Sequence, residues 1–219
     1  MSSRDRLLDA AAELLDESAD HDVSTRAICE RAGVQAPTLY HHFGNKQGLL
    51  ATVVVEAFAT HLQGTAPDDP LDALRFTWNE HVRFGIERPN IYTYAFGQLR
   101  TGEPAGLAKV AEQALLDRLN EVARHGMLRV APEAAASRLF AANVGATLAR
   151  IATPDFDTEG LLDSVLADVL ADGPAPVRGG GLTTVAVAFL AALDQDSREL
   201  TTGEVTLLRE WLNRLAATR

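Results

Sequence analysis

Thr38, Tyr40, His41, His42 and Lys46 fall within one short stretch of the chain. They bring a hydroxyl, a phenol, two imidazoles and an ammonium group. All of these can donate hydrogen bonds, and none is acidic in the physiological range. Donors gathered this closely suit an anionic polymer, because phosphate oxygens are the commonest acceptors at protein–DNA contacts. Lys46 stands where a new helix is expected to open, so its charge adds to exposed N–H groups and makes a phosphate site. Singly, these residues have plainer readings. Tyr40 alone is a half-buried structural aromatic, and Lys46 alone is a solvated lysine.

The local charge balance agrees, although the global one does not. Thirty acids against twenty bases give the 219 residues a net charge of −10, which by itself argues for solubility and against nucleic acid. The first 22 residues hold Asp5, Asp9, Glu13, Asp16, Glu17, Asp20 and Asp22 against Arg4 and Arg6. From Val23 to Leu50 the sign reverses: Arg26, Arg31 and Lys46 face only Glu30, with His41 and His42 in addition. If the acids of the first helix face away from phosphate, they limit non-specific binding. Replacing Asp5, Asp9 and Glu13 by amides is then expected to strengthen binding to random DNA.

The elements that must position these groups are helices. Leu7, Leu8, Ala11, Leu14 and Leu15 recur at the helical period, which predicts an amphipathic helix over Arg4–Ser18. Ser24 is a candidate N-cap for a short helix over Thr25–Arg31, without the acid or amide of a full capping box. Gly33 ends that helix with a left-handed residue. A third helix is predicted over Gln35–His42, with Pro37 in its first turn, where a missing N–H costs little. Gly44 and Asn45 break the chain, and a longer helix follows over Lys46–Leu62. Two short helices joined at Gly33 behind a first helix outline a helix-turn-helix, whose second helix enters the major groove. Ile28, Ala32, Val34 and Leu39 are the residues expected to bury and set the angle between them.

Further helices are predicted over Leu71–Glu87, Pro89–Leu99, Pro104–Arg124, Pro132–Ala152, Thr158–Ala171, Leu182–Leu193 and Thr201–Ala217. Residues 64–70 and 172–181 are rich in Gly and Pro and read as loop and linker. No segment alternates with a period of two, so the fold class is all-α. The expected division is a helix-turn-helix domain over 1–46 and a helical domain over 47–219. Residues 46–62 connect them, and 182–219 follow the linker.

The run Ser24-Thr25-Arg26-Ala27-Ile28-Cys29-Glu30-Arg31-Ala32-Gly33-Val34, followed by Thr38-Leu39-Tyr40-His41-His42-Phe43-Gly44-Asn45-Lys46-Gln47-Gly48-Leu49-Leu50, resembles the DNA-binding domain of TetR/AcrR-type repressors. The likeness covers about Arg4 to Leu62. It implies that Tyr40 and Lys46 contact phosphate, that Thr38 contacts phosphate or base, and that Gln35, Ala36 and His41 fall where base edges are read. Thr25, Pro37 and His42 complete the expected DNA-binding set. Gln35 stands where the family often has a Ser helix cap, and its amide is able to pair bidentately with adenine. Thr25 stands where an aliphatic residue is commoner, so looser packing is expected there. Beyond residue 70 the resemblance extends only to the all-helical layout.

Six of the thirteen aromatics crowd into one short segment: Phe76, Trp78, Phe84, Tyr92, Tyr94 and Phe96. Asn79, His81, Arg83 and Gln98 interleave with them. Apolar walls with a few polar tips make small-molecule cavities, and the resemblance implies an effector pocket in this region. Trp78, His81, Phe84, Tyr92, Phe96, Phe140, Asn143 and Thr147 are the candidate ligand-binding residues. Asn143 and Thr147 stand out because buried polar groups need partners, which a ligand could supply. The alternative is that the aromatics fill a solid helical core. Small residues such as Gly145, Ala146 and Ala149 permit close helix approach over 132–152 and 158–171, where the resemblance implies pairing of two subunits. A two-fold dimer places its recognition helices about 34 Å apart and predicts an inverted-repeat operator. Two apolar stripes in the last helices either pack on the ligand domain or add to the dimer.

Catalytic motifs are not found. There is no G-x-S-x-G or H-E-x-x-H, and Gly179-Gly180-Gly181 lacks the lysine of a phosphate loop. One cysteine, Cys29, excludes an internal disulfide, and six scattered histidines suggest neither a metal nor a cofactor site. No window approaches 18 apolar residues, and the first 31 residues lack an apolar signal core, so a cytoplasmic location is expected. The expectation is a ligand-responsive, homodimeric DNA-binding regulator, usually a repressor in the resembled family. Two alternatives stay open: a helical ligand-binding protein or enzyme with a vestigial DNA-binding domain, and a DNA-binding dimer with no effector.

Overall fold

The computed structural model describes residues 1–18, 22–97, 106–171, 182–195 and 200–217. The expected linker 172–181, His21, Gln98, Leu99 and the helix start at Pro104 lie outside them. The described residues form eleven helices: α1 Ser3–Glu17, α2 Thr25–Ala32, α3 Ala36–Phe43, α4 Lys46–His61, α5 Pro70–Glu87, α6 Pro89–Phe96, α7 Gly106–Arg124, α8 Pro132–Ala152, α9 Thr158–Val169, α10 Leu182–Gln195 and α11 Thr202–Ala216. Among the described residues there is no strand, only an isolated antiparallel bridge between Leu128 and Leu170. The all-α expectation holds.

Local chemistry sets the helix ends. Ser2 and Asp5 form a reciprocal capping box at α1: Asp5 N–H donates to Ser2 Oγ (3.1 Å) and Ser2 N–H to Asp5 Oδ2 (2.9 Å). Ser24 accepts from Ala27 N–H at the start of α2, and Gly33 (φ 64°) closes it in the left-handed region. Asn45 accepts from Gly48 N–H at α4, and Asp69 from Leu71 and Asp72 at α5. Helix α9 stops at Val169, earlier than periodicity suggests. Its next residues pair instead with the α7–α8 connection: Arg129 N–H donates to Val169 O and Ala171 N–H to Met127 O. The Arg129 guanidinium reaches the carbonyls of Leu170 and Ala167, placing a cation at the negative end of α9.

The chain divides into two compact units. One comprises 1–65, 79–111 and 144–156, the other 66–78, 112–143 and 157–219. In the first, α1, α2, α3 and α4 pack on one another, with Leu7, Ala11, Leu15, Ile28, Leu39, Leu49 and Val53 buried. In the second, α10 and α11 form an antiparallel hairpin closed on Ala186, Leu193 and Leu212.

Candidate nucleic-acid interface and buried aromatic cluster

Helix α3 is pinned from beneath and open above. Leu39 is fully buried, and Ala36 and Thr38 are half-buried. Gln35, Pro37, Tyr40, His41 and His42 are exposed, with Tyr40 at 51%. Gln35 occupies the N-cap without a side-chain capping bond, so its amide is not engaged in ending the helix. Pro37 lies in the first turn, where no intrahelical N–H is lost. The His41 and His42 rings sit edge to face at 5.3 Å, and His42 Nε2 lies 3.0 Å from Ser3 Oγ. Thr25 is half-buried at the first position of α2.

Lys46, half-buried, donates from Nζ to the Val23 carbonyl at 2.9 Å. That bond holds the ammonium against the segment leading into α2, at the first residue of α4. The other two bases of the positive stretch are held in ion pairs. Arg26 Nε donates to Glu30 at 2.8 Å. Arg31 binds Glu17 and Glu13 on α1 at 3.0 and 3.2 Å. The Arg31 hydrogen bond draws the Glu17 carboxyl below its ordinary range, and the two carboxylates raise Arg31. Two of the three acids expected to repel stray DNA therefore have structural partners: Asp5 in the α1 cap and Glu13 on Arg31. Asp16 also has partners. It accepts from Arg88 Nε at 3.0 Å, and its carbonyl accepts from Asn90 Nδ2 at 2.6 Å, which fastens α1 to the start of α6. Sequence reasoning missed this tie, because nothing local marks residues 72 positions apart as partners.

The aromatic candidates are buried against one another. In the first unit Phe58, His81, Phe84, Tyr92 and Phe96 pack ring on ring. Centroids lie at 5.1 Å for Phe58–His81, 5.2 Å for Phe58–Phe84 and 4.7 Å for Tyr92–Phe96. His81 Nε2 and Tyr92 Oη share a hydrogen bond at 2.8 Å, and the Thr147 hydroxyl also bonds Tyr92. Burial pushes the His81 imidazole down to about 3 and raises the Tyr92 phenol, so both are neutral. Gly85 is needed here, because a Cβ would stand 2.2 Å from Thr147 Cγ2. Phe58, contributed by α4, was not among the sequence candidates. Its position on the buried stripe of that helix was the available signal.

In the second unit, Asn143 Nδ2 donates to the Trp78 carbonyl at 3.2 Å. The Trp78 indole Nε1 is buried without an acceptor. Phe140 is half-buried. The amide and hydroxyl expected to await a ligand, Asn143 and Thr147, thus have protein partners, and the unmet donor is the indole. Among the described residues no cluster of His, Cys, Asp or Glu gathers as metal ligands do.

Residues 7–53 match the family described as bacterial regulatory proteins, tetR family. Over this stretch the chain is similar to the amino-terminal part of that family. The tetracycline repressor protein class D of Escherichia coli is 36% identical over 81 residues, 37% of this chain and 35% of that protein. The HTH-type transcriptional regulator UidR of Escherichia coli strain K12 is 37% identical over 54 residues, 25% of this chain and 28% of that protein. The chain spans about a third of the length of the curated relatives it matches. Solved structures extend the likeness as a fold. RolR, solved in complex with its ligand resorcinol, has a TM-score of 0.62 at 20% identity over 91% of this chain and 95% of its own. SmeT, the repressor of a Stenotrophomonas maltophilia multidrug efflux pump, has a TM-score of 0.59 at 23% identity over 82% and 97%. The likeness is one of sequence over residues 7–53 and one of fold alone beyond them. No helix among the described residues is long and apolar enough to cross a membrane.

Proposed function

We propose that the protein is a cytoplasmic, non-enzymatic transcriptional regulator that binds an inverted-repeat operator as a homodimer and is released by a small molecule. The observation that carries the reading is the presentation of α3. One buried leucine anchors a helix whose exposed side holds Gln35, Tyr40, His41 and His42, and Lys46 lies at the start of the next helix. Gln35, Ala36 and His41 read base edges. Thr38, Tyr40 and Lys46 hold phosphate, with Thr25, Pro37 and His42 at the margin. The domain over 1–46 is the DNA-reading part, and 47–219 carry effector binding and dimer formation, with α8 and α9 among the pairing helices. The relatives named above are transcriptional regulators, which supports the same class here.

Release by an effector is population shift: the ligand must prefer the conformation that cannot span the operator, and only that difference in affinity frees DNA. Two physical routes lead from the aromatic cluster to α3. Helix α4 runs from Lys46 to Phe58 and His61, and α1 is tied through Asp16 to Arg88 and Asn90 beside Tyr92. The indole N–H of Trp78 is the donor an effector oxygen would satisfy, with Asn143 beside it and Phe140 a further candidate in that unit. His81, Phe84, Tyr92, Phe96 and Thr147 are the candidate effector residues of the first unit. A second reading, a DNA-binding dimer without an effector, is favoured by the close ring packing of that cluster.

The test is selection of duplexes from a random pool, followed by binding to the selected sequence. Tyr40→Phe and Lys46→Ala should weaken all sequences alike, while Gln35→Ala should change the preference between sequences. Unchanged affinity in all three variants would remove the assignment of α3. A thermal-shift panel separates the effector readings, because a true effector raises the melting temperature with concentration.

A further inference from the structure

Among the described residues the histidines fall into three surroundings. His81 is enclosed by aromatic rings and neutral. His61 and His125 stand beside carboxylates: His61 lies 3.9 Å from Glu80 and 3.8 Å from Glu87, and His125 lies 3.6 Å from Glu121. His41 and His42 have neither shelter nor counter-charge. Both are exposed on α3, and their rings meet edge to face at 5.3 Å. No carboxylate among the described residues lies within ion-pair distance of either ring. The helices packed against α3 show why. On α1, Arg4 lies 5.7 Å from the centre of the Phe43 ring and Arg6 reaches Gly33. Of the acids on that helix, Asp5 is closed in the cap, Glu13 and Glu17 hold Arg31, Asp16 holds Arg88, and Asp9 is exposed. On α2, Glu30 is taken by Arg26. On α4, Glu56 is taken by Arg4, and Lys46 is tied to the Val23 carbonyl. Neither ring therefore has a protein anion to hold a proton on it.

We propose that DNA supplies that anion: binding draws protons onto the His41–His42 pair, and operator affinity rises as pH falls from 8 to 6. The inference rests on the DNA-binding reading of α3 and adds a regulation to it. Donor count carries the argument. A neutral imidazole has one N–H and one acceptor nitrogen, whereas an imidazolium has two N–H donors. Phosphate oxygens and the O6/N7 edge of guanine only accept. Against such a surface the bare nitrogen of a neutral ring meets another acceptor, and a proton there turns the mismatch into a charge-assisted bond. The contact that His42 already makes does not oppose the change. Its Nε2 lies 3.0 Å from Ser3 Oγ, and a hydroxyl donates to a bare nitrogen or accepts from a protonated one. Two charged rings on adjacent residues repel, and a phosphate beside both removes that repulsion. An ordinary imidazole changes charge near pH 6.5. DNA favours the charged ring, so affinity is gained as pH falls towards that value, and the gain is complete once the unbound ring is charged as well.

Fluorescence anisotropy with the selected operator tests this, on the full chain at pH 8, 7 and 6 and constant ionic strength. The wild type should bind at least about tenfold more tightly at pH 6 than at pH 8, since each proton taken up per complex changes affinity by up to about tenfold per pH unit. The double variant His41→Gln, His42→Gln should change by less than about threefold over that range. Glutamine keeps a donor and an acceptor but does not titrate, so the comparison is between pH profiles, whatever the absolute affinities. Both positions are exposed, so helix content by circular dichroism should match the wild type at each pH. From pH 8 to pH 6 the slope of log K against log salt should steepen by about one for each added charge in the wild type and stay constant in the variant. A flat wild-type profile, or the same profile in both proteins, overturns the inference and leaves α3 as the DNA-reading helix. If no duplex is bound at any of the three pH values, the inference and the DNA-binding reading fall together.

Discussion

His81 offers the sharpest test of the buried cluster, because its protonation is linked to folding. The ring is enclosed by Phe58, Tyr92 and Phe96, and burial holds its pKa at about 3 against about 6.5 for a free imidazole. The native state therefore refuses a proton that the unfolded chain accepts. The folded value is the depressed one, so stability is fully present above pH 6.5 and is lost as pH falls towards 3. Each pH unit below 6.5 costs about 1.4 kcal/mol, so lowering pH from 8 to 5 removes about 2 kcal/mol through this residue alone. In a chain of this length that is a fall of roughly 4–8 °C in melting temperature. Urea unfolding of the wild type and His81→Gln at pH 8 and pH 5, at fixed protein concentration, isolates the effect. The variant has a polar side chain there but no titrating group, and its other ionisable groups are those of the wild type. It should lose about 2 kcal/mol less than the wild type over that interval, whatever its absolute stability. Equal losses would mean that His81 titrates as a solvated imidazole, and the account of a dry, neutral hydrogen-bonded core would be wrong.

Tyr92→Phe should lower stability by about 1–3 kcal/mol in urea unfolding at pH 7, because it leaves a buried ring nitrogen of His81 without its partner; a neutral effect would place water in the cluster. Gly48→Ala should destabilise by about 1–3 kcal/mol and impair DNA binding, since its Cβ would stand 2.4 Å from the Phe43 carbonyl, a backbone atom that cannot swing aside. Gly203→Ala on α11 is the control: nothing lies within 4 Å of the added carbon, and helix propensity should raise the melting temperature by the equivalent of up to about 1 kcal/mol. In Trp211→Phe the remaining emission comes from Trp78, which should be blue-shifted and resist acrylamide; ready quenching would contradict its burial.

How much of this was legible depended on range along the chain. Pro89 and Pro132 open helices where expected, Ser24 caps α2 and Gly33 closes it, because those signals act within a turn of the residue that carries them. The burial of Ile28 and Leu39 followed from the 3.6 period for the same reason. The end of α9 was missed because residues 41 positions away compete for its last carbonyls. The close approaches at Gly48 and Gly85 were missed because a glycine inside an apolar helix looks alike whether it faces solvent or a neighbouring helix. Aromatic crowding between Phe76 and Phe96 marked a buried cluster correctly, but composition does not say whether rings line a space or fill it. The stripes of α10 and α11 were visible too, yet a helix with two apolar sides does not reveal which one its own chain covers.

The acidic first helix also bears on how the protein meets DNA. If the domain binds DNA as proposed, the seven acids in its first 22 residues have to be kept occupied or averted. Here Asp5 closes the α1 cap, Glu13 and Glu17 hold Arg31, and Asp16 holds Arg88. Ion pairs also hold arginines of this domain: Arg31 on α1, Arg26 on Glu30, and Arg4 on Glu56. On the proposed reading, recognition then falls largely to uncharged donors on α3, with Lys46 as a nearby charge. Neutral donors displace no condensed counterion in proportion to charge, so the salt dependence should be shallow for a dimer. With about two to four charged phosphate contacts, the slope of log K against log salt should lie near −2 to −4. Titrations at several salt concentrations on the selected operator measure it directly. A slope of about −8 or steeper would mean that Arg26 and Arg31 leave their carboxylates for phosphate on binding, and that the ion pairs of the free protein are a resting arrangement instead of the binding one.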